Sequence, residues 1–321
     1  MDDIKHLIGK ELHDFESKFA DSVKSNIPLL DRVMHYIVKR KGKQMRPMFV
    51  FLTARLFRDE LPESTYRAAS FVELLHTATL VHDDVVDDAN ERRGFFSINA
   101  LWKNKIAVLV GDYLLSKGLS LCLNHNEFRT LQIISDTVQA MSEGELIQIE
   151  KTRKLNIKED IYFEIIKRKT ASLLASACAA GAWSSTNDET TTEQMRLFGE
   201  KVGIAFQIKD DLFDYGSAKI GKPTGIDIRE KKMTLPLIYT LQHATPEVRR
   251  KIIYIVKNHN TDKDKVEEVI EMVKASGGIE YTRQKMFDYR DEALEILRQF
   301  PESDIRNGLE AMVRYTTDRT Y

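Results

Sequence analysis

Cysteine, proline and glycine are all scarce in this chain. Only Cys122 and Cys178 occur in 321 residues, both inside apolar runs, which excludes a disulfide framework and points to a reducing compartment. Glycine (15) and proline (7) together make up about 7% of the chain, against roughly 12% in average usage. No proline falls between Pro62 and Pro223. A stretch of that length without proline predicts long helices, because a strand-rich fold of the same size needs many turns. Net charge is also small: 48 Lys+Arg stand against 49 Asp+Glu. There is therefore no global basic field for nucleic acid. The N-terminus, MDDIKHLIGKELHDFE, has no apolar signal core, and the uncharged run 171–187 is too rich in Ala and Ser to span a bilayer. These absences predict a soluble, cytoplasmic protein with no transmembrane segment and no nucleic-acid partner.

What is present is a large apolar complement, 42% of residues, beside 30% charged, which is enough for a sizeable core and excludes disorder. Apolar residues recur at helical spacing nearly throughout. The pattern predicts helices over 7–19, 49–57 (with Pro47 in a first turn), 64–88 (capped by Ser64), 106–123, 131–150, 158–183, 192–214, 235–242, 262–276 and 279–300. Turn chemistry concentrates at 39–46, 90–94 and 216–225, where binding groups would sit on a rigid scaffold. No repeat or linker divides the chain, so residues 1–321 are expected to form a single all-α domain.

Two acid clusters stand out. Residues 83–88 read Asp-Asp-Val-Val-Asp-Asp, and 210–214 read Asp-Asp-Leu-Phe-Asp. On a helix, positions i and i+4 share a face, so Asp83 stacks with Asp87, Asp84 with Asp88 and Asp210 with Asp214. Each like-charge pair costs a few tenths of a kcal/mol, and a helix C-terminus disfavours each carboxylate by ~0.3–1 kcal/mol more. Gly94 and Gly216 mark such helix ends. A single acidic helix end is an ordinary solvated surface. Two of them, each after an apolar stretch, suggest bound cations. Carboxylates without Cys or clustered His suit Mg2+ held by one or two carboxylates plus substrate phosphates, and no EF-hand loop favours Ca2+.

Basic groups that could hold those phosphates are spread along the chain. Lys39 to Pro47 is a basic loop containing Gly42, Lys43 and Arg46, and it leads into a helix. Arg92 and Arg93 follow the first acid cluster. Lys169 and Thr170 open a small-residue helix, and Lys222 and Lys232 follow the second cluster. His76 lies two turns before Asp83 and Gln207 one turn before Asp210, each on the acid face. A core histidine and a buried amide would look the same. No Walker A or dinucleotide fingerprint occurs, and no nucleophile–His–acid triad can be argued.

Six ordered blocks carry a family resemblance: GKQMRP at 42–47, HTATLVHDDVVDDANERRG at 76–94, ALWKNKIAVLVGDYLL at 100–115, EGELIQIE at 143–150, KTASLLA at 169–175, and GIAFQIKDDLFDY at 203–215 followed by GKPTGID and TLPLIY. The sequence resembles the trans-isoprenyl (polyprenyl) diphosphate synthases of the long-chain type. The resemblance implies a single helical bundle around a deep central cavity, the isoprenoid synthase fold. It also implies a homodimer, with a small second subunit as the other arrangement. The implied reaction is Mg2+-dependent condensation of an allylic diphosphate with successive isopentenyl diphosphates, 1′-4 head-to-tail. By the same resemblance Asp83 and Asp87 are metal ligands with Asp84 supporting, and Asp210 is a ligand with Asp211 and Asp214 nearby. Arg92 contacts the allylic diphosphate. Gly42, Lys43, Arg46, His76 and Arg93 form the isopentenyl diphosphate site. Lys169, Thr170, Gln207, Lys222 and Lys232 surround the allylic diphosphate and the developing cation, with Lys169, Thr170 and Gln207 as the catalytic set. Ala78 and Thr79 are small where short-chain members commonly place aromatic rings, so the chain-length expectation is a long product. Phe95-Phe96-Ser97 departs from the more polar stretch of relatives.

The rival readings are a short-chain (farnesyl or geranylgeranyl) synthase, a class I terpene cyclase and a non-catalytic subunit of a heteromeric synthase. Lys43, Arg46 and Arg93 together argue against a cyclase, which needs no isopentenyl site. Two intact aspartate motifs argue against the non-catalytic subunit.

Overall fold

The structure, a computed structural model, describes residues 2–39, 42–92, 94–152, 155, 157–216 and 224–319. In chain order its helices are α1 (Asp2–Leu7), α2 (Gly9–Ser22), α3 (Pro28–Lys39), α4 (Met45–Arg55), α5 (Glu63–Val86), α6 (Ile98–Leu123), α7 (Phe128–Thr152) and α8 (Glu159–Ile166). They continue with α9 (Ser172–Thr186), α10 (Glu189–Phe213), α11 (Ile226–Arg229), α12 (Leu235–His243), α13 (Pro246–Asn258), α14 (Lys263–Ala275), α15 (Gly278–Leu297) and α16 (Asp304–Asp318). Between α5 and α6, β1 (Glu91–Arg92) pairs antiparallel with β2 (Phe95–Phe96). The fold is all-α, as the low glycine and proline content predicts.

Several boundaries differ from the sequence expectation, each for a local reason. Pro62, in extended conformation, precedes α5, so Ser64 lies inside the first turn and makes no cap. The helix expected over 158–183 is interrupted by a π-helical turn, Lys167–Ala171, between α8 and α9. Helix α13 was not anticipated, although Thr245 Oγ1 accepts from the Val248 N–H and Pro246 occupies the first position, both ordinary start signals. Helix α16 was also missed, although Leu309, Met312, Val313 and Thr316 form its buried i, i+3, i+4, i+7 stripe.

The residues group into two compact units. The first is Met1–Val138, Ser176–Arg196 and Pro301–Leu309; the second is Gln139–Ala175, Leu197–Phe300 and Glu310–Tyr321. In the first unit Phe15 packs between the rings of Phe19 and Phe51, at centroid distances of 5.5 and 5.7 Å. There α5 lies close against α6: a Cβ on Gly118 would stand 2.1 Å from the Phe71 ring. The second unit is built on Ile204, Ile208, Leu235, Ile238, Ile252 and Val269, each at most 3% exposed. Burial of each such side chain contributes about 1.5–3 kcal/mol. Cys122 and Cys178 are free and buried, and burial pushes both thiols up to about 12.

Within α6 the backbone is strained at one residue. Lys103, inside α6, has φ 73° and ψ 157°, a region that glycine alone occupies comfortably. Its side chain is exposed, so little packing depends on it. Lys103→Gly is expected to stabilise the protein by about 1 kcal/mol, raising Tm by roughly 2 °C. An unchanged or lower Tm in calorimetry would show that this backbone stores no strain.

Candidate active site

The first acid cluster sits where α5 ends. The Asp87 N–H donates to the Asp83 carbonyl at 2.8 Å, and the Ala89 N–H donates to the Asp84 carbonyl at 2.9 Å. Between them Asp88 takes the left-handed conformation (φ 49°) that usually calls for glycine at a helix end. Asp88 therefore leaves the helical face and does not stack on Asp84, which corrects the sequence expectation. The chain reverses into the β-hairpin, and that hairpin returns Arg92 to the cluster. Arg92 Nε donates to Asp84 Oδ1 at 2.7 Å, and Asn99 Nδ2 donates to the Asp84 carbonyl at 3.2 Å. Burial raises the Asp84 carboxyl above its usual range, against the pull of Arg92. Asp84 is thus a buried, pinned support, while Asp83 is half-buried and Asp87 exposed.

The basic candidates in this unit are placed by α4 and α5. Gln44, left-handed at φ 52°, turns the chain into α4, with Gly42 and Arg46 half-buried and Lys43 exposed. His76 is buried, and its carbonyl accepts from Thr79 Oγ1 at 2.9 Å. Burial separates the two chain-length candidates: Ala78 has no exposed surface, whereas Thr79 is half-buried. Arg93 and Lys222 lie outside the described residues.

The second cluster, at the end of α10, shows the same division of labour. Asp211 is buried, with Tyr162 Oη donating to Oδ2 at 2.7 Å and Gln207 Nε2 to Oδ1 at 3.0 Å. Burial pushes its carboxyl up to about 6. Asp214 lies just past the helix and accepts from the backbone N–H of Ile226 (2.7 Å) and of Asp227 (3.2 Å), so both its oxygens serve the loop that follows. That corrects the expected Asp210–Asp214 stack on one helix. Asp210 keeps a side chain 40% exposed and pairs with Arg319 at 2.6 Å.

Beside this cluster Lys169, Thr170, Gln207, Asp211 and Lys232 line a cavity of about 220 Å3, together with Tyr162, Gln148 and Asp227. That is below the ~300–1,000 Å3 of a whole-ligand pocket, so it accommodates part of a substrate. The π turn aims Lys169 and Thr170 into it, a known use of such turns. The turn lies against α7 at a small residue: a Cβ on Gly144 would meet the Lys169 backbone nitrogen at 2.8 Å. Thr170 Oγ1 donates to Gln207 Oε1 at 3.0 Å, which links the expected catalytic pair through Gln207 to Asp211. Lys169 is ion-paired with Glu145 and donates to Gln148 Oε1 at 3.4 Å. Lys232 pairs with Glu230 at 2.5 Å.

Tyr162, Glu145, Gln148, Asp227 and Arg319 were not anticipated as site residues. Burial and the carboxylates of Asp211 and Asp214 push Asp227 up to about 8. Its signal was the acid closing GKPTGID. Glu145 and Gln148 lie in EGELIQIE, and nothing local marks Tyr162 or Arg319.

The donor set fits a hard divalent ion that arrives with a diphosphate. In the first cluster Asp84 is buried on Arg92, while Asp83 is half-buried and Asp87 exposed; in the second, Asp211 and Asp214 are held by protein donors, and Asp210 keeps a side chain 40% exposed beside Arg319. Among the described residues no three acidic, His or Cys side chains converge as a ready cage. Mg2+ is commonly held in that way, by one or two carboxylates, water and substrate phosphate oxygens.

The family profile described as Polyprenyl synthetase matches residues 27–273. The chain belongs to the polyprenyl synthetase family. By that membership it is a prenyltransferase of isoprenoid biosynthesis with the isoprenoid synthase fold. It is similar to an all-trans-nonaprenyl-diphosphate synthase (geranyl-diphosphate specific) of Rhodobacter capsulatus, with 34% identity over 99% of this chain and 97% of the relative. A polyprenyl synthase structure from Caulobacter crescentus, complexed with calcium and isoprenyl diphosphate, has a TM-score of 0.91 at 31% identity and covers 100% of this chain and 98% of that one. A geranylgeranyl pyrophosphate synthase structure from Bacteroides thetaiotaomicron has a TM-score of 0.84 at 38% identity, covering 99% and 100%. Synthases of long and of short products thus both resemble the chain.

Proposed function

We propose that this chain is a long-chain trans-polyprenyl diphosphate synthase acting as one domain over residues 1–321. It extends an allylic diphosphate with successive isopentenyl diphosphates. The observation that carries the reading is the repeated arrangement of the two aspartate motifs. In each, the second aspartate is buried and pinned (Asp84 by Arg92; Asp211 by Tyr162 and Gln207), and the first is less buried: Asp83 is half-buried, and Asp210 keeps a side chain 40% exposed while it pairs with Arg319. Asp83, Asp87 and Asp210 are the carboxylates that hold Mg2+. When bound with the diphosphate, Mg2+ supplies positive charge that stabilises the leaving group.

Lys169 and Lys232, lining one cavity, neutralise diphosphate charge as the allylic C–O bond breaks. Thr170 and Gln207 present dipoles to the allylic cation without forming a bond to it. The isopentenyl double bond attacks the allylic carbon, a carbon–carbon bond forms, and a proton leaves to the released diphosphate. Small side chains at 78 and 79, and the nonaprenyl name of the Rhodobacter relative, support a long product. The second reading, a geranylgeranyl product, is not favoured by the long-chain relatives. Incubating the protein with Mg2+, labelled isopentenyl diphosphate and each allylic primer, then sizing the products, decides between them. No incorporation with any primer would reject both.

The two diphosphate sites separate kinetically. Lys43→Ala and Arg46→Ala are expected to raise KM for isopentenyl diphosphate by about tenfold or more, since each removes a charge-assisted contact of roughly 1.5–3 kcal/mol, with little change in KM for the primer. Equal effects on both substrates would mean the site is misassigned.

We also propose that the enzyme is a cytoplasmic homodimer joined along α6. Val108, Leu109, Leu119 and Leu123 are each 41–56% exposed and fall within one ~100° stripe of that helix. By length and composition α6 could cross a membrane, but Asp112 lies on the same stripe, 3.6 Å from His82 Nε2, which suits a protein partner better than hydrocarbon. Leu109→Glu is expected to shift the protein to monomer in light scattering; an unshifted mass would place the contact elsewhere.

A further inference from the structure

Four side chains that line the cavity beside the second cluster are joined in one hydrogen-bonded chain. Tyr162, 4% exposed, donates from Oη to Asp211 Oδ2 at 2.7 Å. Gln207 Nε2 donates to Asp211 Oδ1 at 3.0 Å, and Thr170 Oγ1 donates to Gln207 Oε1 at 3.0 Å. The Leu235 backbone N–H gives Asp211 a further donor. One group dictates the direction of the whole chain. An amide has the same shape in either orientation, so only its partners choose between them. An ionised carboxylate accepts and never donates, so the Gln207 nitrogen must face Asp211 and its oxygen must face Thr170. That oxygen draws the Thr170 hydroxyl proton, which turns the lone pairs of Thr170 Oγ1 away from Gln207. Each dipole in the chain thus has its negative end directed away from Asp211.

We propose that Tyr162 and Asp211 are positioning residues that set the polarity of Gln207 and Thr170, so that oxygen lone pairs and not N–H groups are presented to the allylic cation. The inference rests on the proposed reaction and goes beyond it by assigning the two groups that aim the dipoles. A cation is stabilised by the oxygen end of an amide and repelled by its N–H end, so a turned Gln207 would convert a favourable contact into an unfavourable one. Dipoles fixed in advance in a water-poor cavity need no reorganisation when charge develops. Tyr162 contributes by holding the second Asp211 oxygen, which keeps the carboxylate from rotating away from Gln207. If Tyr162 were only a satisfied buried hydroxyl, its loss would lower stability and leave the response to ligand charge unchanged.

The test compares two ligands of nearly the same shape. One is a farnesyl-length diphosphate whose third carbon is replaced by a protonated nitrogen, where the allylic cation carries its charge; the other is the saturated carbon isostere. Binding of each to the full-length protein is measured by titration calorimetry with Mg2+ at mildly alkaline pH, for wild type, Tyr162→Phe, Gln207→Leu and the double variant. Wild type should bind the nitrogen ligand more tightly. In Tyr162→Phe and in Gln207→Leu that preference is expected to fall by about tenfold, with affinity for the carbon isostere within about twofold of wild type. The double variant should fall no further than Gln207→Leu, because the same interaction is removed either way. In turnover, Tyr162→Phe should lower kcat by about tenfold while KM for both substrates stays within about twofold, the pattern of an interaction made only in the transition state. Should Tyr162→Phe fail the circular-dichroism check, Tyr162→Met, which also lacks the hydroxyl, gives the same readout. No preference in wild type, an unchanged preference in a folded variant, an equal loss of both ligands, or losses that add in the double variant would each overturn the proposal. A wild type that prefers the nitrogen ligand through Tyr162 yet makes no prenyl product would sink the proposed reaction and support the positioning role.

Discussion

Asp83→Ala and Asp210→Ala are each expected to lower turnover by about three orders of magnitude or more with the helical fold intact. The size follows from the chemistry. An ion that stabilises a departing diphosphate supplies several kcal/mol in the transition state, and each ~1.4 kcal/mol is tenfold in rate. The two variants should differ in stability. Loss of Asp83 relieves repulsion within its cluster by a few tenths of a kcal/mol. Loss of Asp210 strips the covered Arg319 guanidinium of its carboxylate, which costs roughly 1–3 kcal/mol, a small part of what holds a protein of this size. Asp214→Ala is a contrasting control. Because both Asp214 oxygens serve the N–H groups of Ile226 and Asp227, that variant should lower Tm and weaken activity through the loop. Steady-state rates across a Mg2+ titration, beside thermal melts, separate these cases. Near-normal turnover in Asp83→Ala or Asp210→Ala, or a rate indifferent to saturating EDTA, would remove the metal assignment.

The acids and bases that carry this argument were legible because they are dense and local. Six residues hold the first motif and five the second, and helical spacing alone puts each set at one helix end. How each carboxylate is used was not legible. Asp88 leaves the helix because the chain must reverse after Val86, and a left-handed residue does that; nothing at position 88 except tolerance for the conformation announces it. Asp84 and Asp211 are pinned by Arg92 and Tyr162, eight and 49 residues away, and Asp210 by Arg319 at a separation of 109. Contacts over such separations follow from packing and leave no periodic trace. The π turn at Lys167–Ala171 is invisible for a related reason: its residues suit an α-helix equally well, and one extra residue per turn shows only in the hydrogen bonds. The α13 and α16 starts were legible and overlooked.

Product length gives the other large effect, and burial decides where to test it. In the proposed reaction the growing tail runs from the diphosphate at Asp83 along α5. About ten helical residues at ~1.5 Å each, from 79 back to 70, offer ~15 Å of wall, which suggests a wild-type product on the order of C30 or longer. Thr79 is one turn before Asp83 on the same face, half-buried, with its hydroxyl turned back to the His76 carbonyl. A phenylalanine there should block the path and shift products to about C15–C20 with Tm nearly unchanged, as expected at a half-buried position rather than in a core. Ala78 has no exposed surface among Leu74, Leu75 and Val81, so Ala78→Phe overpacks a core and costs about 1–3 kcal/mol whatever it does to product length. Phe71, one candidate for the floor of the path, lies with its ring against the backbone of Gly118 and is committed to the α5–α6 contact. Phe71→Ala should therefore destabilise by roughly 3–5 kcal/mol before it lengthens anything. Mass spectrometry of the products, beside melts of the same variants, reads both effects. A wild-type product of about C15–C20, or an unchanged distribution in a well-folded Thr79→Phe, would mean that this face of α5 does not set the length.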